Sequence, residues 1–229
     1  MATPSSRPDP ADPADPADVD AGRAAIDTVV YDFGNVLITW DPYGAFGPDR
    51  RDEVDRWMAE LDFPAFNHVQ DAGRTWAEAR AMLMESRPHL VPLVDEYVAN
   101  FPGTLLGPVP GSEELVRELK GLGLRLLGLT NWSADLIHHA EPVAPAVGLM
   151  DGVVVSGRVG LAKPDPRIFA RLVADFDVDP SRAVFVDDSP ANVAAARSLG
   201  FRTVQFVDTA SFRVALRELG VPVEDAPGR

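Results

Sequence analysis

Four short polar clusters, far apart in the 229-residue chain, carry residue types that do chemistry once they are brought together. Asp32 closes the run TVVYD. A carboxylate there is costly unless a metal ion or a row of backbone N–H groups compensates it. Such a residue can be a nucleophile or a metal ligand. Thr130 and Asn131, in LTNWS, offer a hydroxyl, an amide and backbone donors suited to an oxyanion. Lys163, in GLAKPDPRIF, is a natural clamp for a phosphate and a nucleophile if it stands beside carboxylates. Asp187 and Asp188, in VFVDDSPANV, are adjacent acids with Asn192 a helical turn further on. Three acids at one edge repel each other unless a hard cation sits among them, and Mg²⁺ suits oxygen ligands plus waters.

The elements that must position these residues are legible as alternating runs. TVVYD, LRLLGLT, GVVVS, AVFVD and TVQF read as short buried strands, because parallel strands are apolar throughout rather than alternating. Helical stretches separate most of them: GSEELVRELKGLG, DPRIFARLVADFDV (starting at Asp165) and SPANVAAARSLG. This order predicts an α/β fold, a doubly wound parallel sheet with helices on both faces. Asp32, Thr130 with Asn131, and Asp187 with Asp188 then fall at strand ends, where open α/β sheets hold their ligands.

Between Trp40 and Leu105 the texture changes. RRDEVDRWMAELDF, TWAEARAMLMES and HLVPLVDEYVANF each repeat apolar residues at three- and four-residue spacing, with no convincing strand. A crossover normally needs one helix, so this stretch reads as a helical cap inserted just past Asp32, hinged near Trp40–Pro42 and Leu105–Gly111. The expected organisation is a disordered leader over 1–25, a core over 26–39 and 106–229, and a cap over 40–105.

In this order, YDFGNVL, LTNWS, AKPDPRIF and VDDSPANV resemble the motifs of the haloacid dehalogenase (HAD) superfamily, in the branch whose helical cap follows the first motif. The resemblance runs from Ile26 to about Gly220 and implies a Rossmann-like core. It implies that Asp32 is the nucleophile, taking up the transferred group as an acyl-phosphate. Thr130, Asn131 and Lys163 would bind the phosphate, Lys163 being the third-motif lysine. Asp188 would be the metal-binding acid, with Asp187 and Asn192 supporting the ion directly or through water. Asp32 and the Gly34 carbonyl would complete the Mg²⁺ ligands.

One position departs from that pattern. Phosphatases of this family usually carry a second aspartate two residues after the nucleophile, which protonates the leaving group. Here the residue is Gly34, followed by Asn35 where glycine is usual. Asn tolerates positive φ, so the turn can survive. A neighbouring group such as Asp41, or solvent, would have to replace the missing acid, or the leaving group must depart unaided. The expected function is a Mg²⁺-dependent phosphatase of a small organic phosphate, acting through an aspartyl-phosphate. The alternatives are a 2-haloacid dehalogenase, which also lacks the second aspartate, and a non-catalytic binding protein. Dehalogenases of the family need no metal. They carry serine-rich residues in place of Asp187-Asp188 and an aromatic in place of Gly34, and both features weigh against that alternative. A phosphonate hydrolase would need a cap lysine, and the only lysines are Lys120 and Lys163.

Trp40, Asp41, Arg74 and Trp132 flank the expected mouth as substrate contacts, with ordinary packing the plainer reading of the two tryptophans. His68 lies in the same cap segment as Arg74 but reads as a surface residue, and no catalytic role is expected of His138 or His139. The net charge of −14 argues against nucleic acid or an anionic membrane as partner. With no cysteine, disulfides, zinc–thiolate sites and thiol nucleophiles are excluded. No apolar run approaches the ~18 residues needed to span a bilayer, which makes cytoplasm the default. The repeat DPADPADPADVD has almost nothing to bury and reads as an extended leader. Oligomeric state is left open.

Overall fold

The computed structural model describes residues 25–225. The expected leader lies outside the described residues, except for its last position. In chain order the first half runs β1 (Thr28–Tyr31), β2 (Ile38–Trp40), α1 (Arg51–Leu61), α2 (Phe63–Asp71), α3 (Trp76–Ser86), α4 (Val91–Ala99) and β3 (Leu105–Pro108). The second half runs α5 (Ser112–Gly121), β4 (Arg125–Thr130), α6 (Ala140–Val143), β5 (Gly152–Val155), α7 (Ser156–Val159), α8 (Pro166–Phe176), β6 (Ala183–Asp187), α9 (Pro190–Ser198), β7 (Arg202–Gln205) and α10 (Thr209–Glu218).

Five strands form one sheet in the order β5-β4-β1-β6-β7, and every pairing is parallel. All five are the runs read from the sequence. The pleat sends alternate side chains to opposite layers. Val29 and Tyr31 join Leu115, Leu119, Phe212 and Leu216 of α5 and α10 on one face. Val30 joins Ile168, Phe169 and Leu172 of α8 on the other. Burying each such side chain contributes about 1.5–3 kcal/mol, so both faces hold the sheet. Strand order reverses at β1, whose neighbours β4 and β6 come from different crossovers. The carboxyl ends of these three strands therefore open a crevice. Gly128 of β4, paired with Tyr31, leaves room for the Phe33 ring that follows Asp32, since a Cβ there would lie 2.6 Å from it.

The insertion after β1 is helical, but two of its features were not legible. It holds four α-helices rather than three stretches, because Asp62 takes a left-handed conformation (φ 54, ψ 63) that ends α1 and starts α2. β2 and β3, at the expected hinges, pair antiparallel in a two-stranded ribbon beneath the helices. Strands of three and four residues are too short to show alternation. α3 starts on a complete capping box between Thr75 and Glu78. The core reaches into the helices at that point, as Asp135 accepts from the Trp76 backbone N–H at 2.9 Å. Among the described residues, no helix is long and apolar enough to cross a membrane.

Candidate active site

Asp32 directly follows β1, and its backbone N–H continues the ladder to Val186 of β6 at 3.0 Å. The chain then turns sharply. Asn35 takes φ 56, its N–H donates to the Ile38 carbonyl, and its side-chain oxygen accepts from the Trp40 N–H. The positive φ expected of Asn35 is therefore present. Gly34 needs no left-handed backbone, and a Cβ built there meets nothing within 4 Å.

Lys163 is buried between two carboxylates, with its Nζ 3.0 Å from Asp32 and 2.6 Å from Asp187. Burial alone would lower its pKa, but the two carboxylates more than offset that and hold the ammonium above its ordinary range. The Asn131 amide brackets the lysine from behind, accepting from the Lys163 N–H at 2.8 Å and donating to its carbonyl at 2.9 Å. The side chain read as a phosphate ligand therefore positions the lysine. Asp187 is fully engaged as well. It accepts from Lys163, from both Asn192 Nδ2 contacts (3.0 and 3.1 Å) and from the Ser189 N–H at 2.8 Å. Thr130 is also buried, and its hydroxyl has no partner.

Asp32, Asp187 and Asp188 each offer an oxygen, all within 4.8 Å of one another. Burial raises the Asp32 carboxyl; Lys163 pulls it down and Asp187 pushes it up. Asp188 is raised by burial and then by Asp187. Three carboxylates against one ammonium leave two negative charges uncompensated. An all-oxygen donor set with that excess fits a hard divalent cation.

A cavity of ≈ 100 Å³ runs from Gly34 and Asn131 up to the inserted helices. Trp40 and Trp132 line it, as do Asp71, Trp76 and Tyr97. The indole N–H groups of Trp76 and Trp132 are buried without partners. A chain of tilted and edge-to-face ring contacts runs from Trp76 through Tyr97 and Phe101 to Trp132 at centroid spacings of 5.4, 5.9 and 6.0 Å, joining insertion to core.

Arg74 and Asp41 are not brought to this cavity. Arg74 bonds Gln70 at 2.5 Å, reaches the Met82 sulfur and lies over the Phe66 ring. Asp41 caps a short 3₁₀ turn by accepting from the Tyr43 N–H. His68 is exposed, and His138 and His139 stack on each other outside the cavity. The residue that sequence reasoning missed is Asp71, at the last position of α2. Its only sequence signal was its place in QDAGR, the segment from which Arg74 was chosen instead.

Residues 26–200 match the family model of haloacid dehalogenase-like hydrolases. A sesquiterpene phosphatase of Aspergillus oryzae is 27% identical over 199 residues, 83% of this chain and 94% of that protein. A phosphoserine phosphatase of Thermus thermophilus is 38% identical over 96 residues, only 42% of this chain and 39% of that one. In structure, the chain resembles a HAD family enzyme of Bacteroides thetaiotaomicron crystallised with magnesium and inorganic phosphate. That likeness has a TM-score of 0.66 and 23% identity, covering 81% of this chain and 96% of the other. L-2-haloacid dehalogenase of Xanthobacter autotrophicus shares the fold at a TM-score of 0.57 and 18% identity, over 85% and 83% of the two chains.

Proposed function

The chain belongs to the haloacid dehalogenase-like hydrolases, and from that premise we propose that it is a Mg²⁺-dependent phosphatase of a small organic phosphate. The observation that carries this reading is the cluster of Asp32, Asp187 and the half-buried Asp188, the first two paired with the buried Lys163. Its relatives include enzymes named as phosphatases, which supports the same class.

Asp32 is the nucleophile. The Phe33 N–H and Lys163 both hold its Oδ1, at 2.7 and 3.0 Å, which leaves Oδ2 to attack phosphorus and form an aspartyl-phosphate. Lys163 keeps its charge and meets the charge that develops on the phosphoryl oxygens. The unpartnered Thr130 hydroxyl and the backbone after it supply further donors at the neighbouring strand end. Asp32, Asp188 and the Gly34 carbonyl would hold the cation. Asp187, its oxygens already engaged, would act through Lys163 and water. When bound, Mg²⁺ would neutralise the carboxylates and align the phosphoryl group for in-line attack. The helices between β2 and β3 act as the cap, with Trp40 and Trp132 in the wall against which the organic group rests.

A screen of sugar, nucleotide and acid phosphates, run with Mg²⁺ and with EDTA, tests this reading. Phosphate release that EDTA abolishes is expected. Halide release from a 2-haloacid in EDTA, with no phosphate release from any ester, would replace the reading with the dehalogenase.

A further inference from the structure

We propose that Asp71, carried by the inserted helices, is the general acid that protonates the leaving group. The proposal rests on the phosphatase reading and supplies the proton donor missing from position 34.

Position 34 holds a glycine with open space around it, so the turn after the nucleophile presents no proton donor to the leaving group. Asp41 is engaged in its own turn. Among the side chains lining the cavity with Gly34 and Asn131, Asp71 is the one carboxyl. It comes from the inserted helix α2 and lies near enough to Asp32 to feel its charge, on the cavity into which the leaving group would depart. Its position is fixed on three sides. The Asn67 amide donates to its Oδ2 at 3.0 Å, and the Ser133 backbone N–H of the core supports it. The loop that follows packs backbone to backbone on the core, where a Cβ at Gly73 would lie 3.1 Å from the Gly160 Cα.

The charge environment suits the role. Burial, and then the Asp32 carboxylate, push the Asp71 carboxyl up to about 7, while Ser133 and Lys163 oppose that rise. Tyr97 of α4 also shares the cavity, and its hydroxyl is itself raised by burial and by Asp71. On its own helix, His68 is exposed. A carboxyl poised near neutrality can both give and take a proton. As Asp32 Oδ2 bonds to phosphorus and the ester P–O bond breaks, the Asp71 proton passes to the leaving oxygen, releasing the alcohol. The Asp71 carboxylate so formed takes a proton from the water that attacks the aspartyl-phosphate. Inorganic phosphate and a free Asp32 result, and Asp71 is reprotonated.

The test compares kcat/KM of wild type and Asp71→Asn on an alkyl phosphate and on p-nitrophenyl phosphate. A general acid is worth about 10²–10⁴-fold, most of it on the poor leaving group. The alkyl ester should lose on that order, and the aryl ester far less. Adding Gly34→Asp to Asp71→Asn should recover alkyl-ester turnover, because position 34 has room for the side chain. Asp71→Ser gives the same comparison should the asparagine variant fold poorly. Equal losses on the two esters, or no loss on either, would overturn the role of Asp71 and leave the phosphatase reading intact. A wild type that turns over neither ester with Mg²⁺ would overturn both.

Discussion

Lys163 shows how tightly the centre is balanced at the residue scale. Its ammonium is buried with two carboxylates and no solvent, so each of the three charges depends on the others. Removing one partner of a buried pair typically costs about 3–5 kcal/mol, because an uncompensated charge stays behind. Lys163→Met should therefore lose stability on that order in urea unfolding at pH 7, together with all turnover. The loss should shrink as pH falls and Asp32 protonates. Asp71 gives a second test. Its folded pKa stands above the unfolded value, so ionising it costs stability as pH rises from about 4 to about 7. In EDTA, the melting temperature of Asp71→Asn should gain on wild type across that window. A constant difference from pH 4 to pH 8 would mean that Asp71 is not raised. Asp32, Lys163 and the acid pair were legible because charged residues ending apolar runs demand partners. Asp71 was not, because a carboxylate at the polar end of an amphipathic helix looks solvated until the core packs over it.

At the scale of elements, β1, β4 and β6 were legible because each is a largely apolar run buried in the middle of the sheet, and the outer β5 and β7 because short β-branched runs follow the same strand–helix alternation. The β2–β3 ribbon was not, since its register depends on a partner 65 or more residues away in sequence. α2 fell outside the stretches read as helical, the first of which stops at Phe63 where the left-handed Asp62 divides α1 from α2. These elements decide which side chains see the substrate. Arg74 is held against Gln70, Met82 and Phe66, whereas Trp132 lines the cavity and meets Phe101 edge to face. Arg74→Ala should then change KM alike for the best substrate and for p-nitrophenyl phosphate. Trp132→Ala should weaken the best substrate by the larger factor. Steady-state KM values for the two variants decide this, and a substrate-selective loss from Arg74→Ala would return that residue to the mouth.

At the scale of the whole molecule, the proposed cation site should couple cation binding to stability. A ligand that binds the folded chain alone raises its melting temperature by mass action. Mg²⁺ should raise it in a concentration-dependent way, and Asp188→Ala should remove that response while the fold persists in circular dichroism. Calcium should also stabilise the fold but inhibit turnover, because its looser shell disturbs in-line geometry. An unchanged Mg²⁺ response in Asp188→Ala would move the cation elsewhere.

The central claim is that Asp32 itself carries the phosphoryl group. Rapid acid quench of wild type turning over p-nitrophenyl phosphate with Mg²⁺, followed by mass spectrometry of the peptide containing Asp32, measures it directly. A phosphoryl increment on Asp32 is the predicted result, absent in EDTA and absent from Asp32→Asn, which should also release no phosphate. Phosphate release by Asp32→Asn at the wild-type rate, or turnover with the label on another residue, would contradict the account.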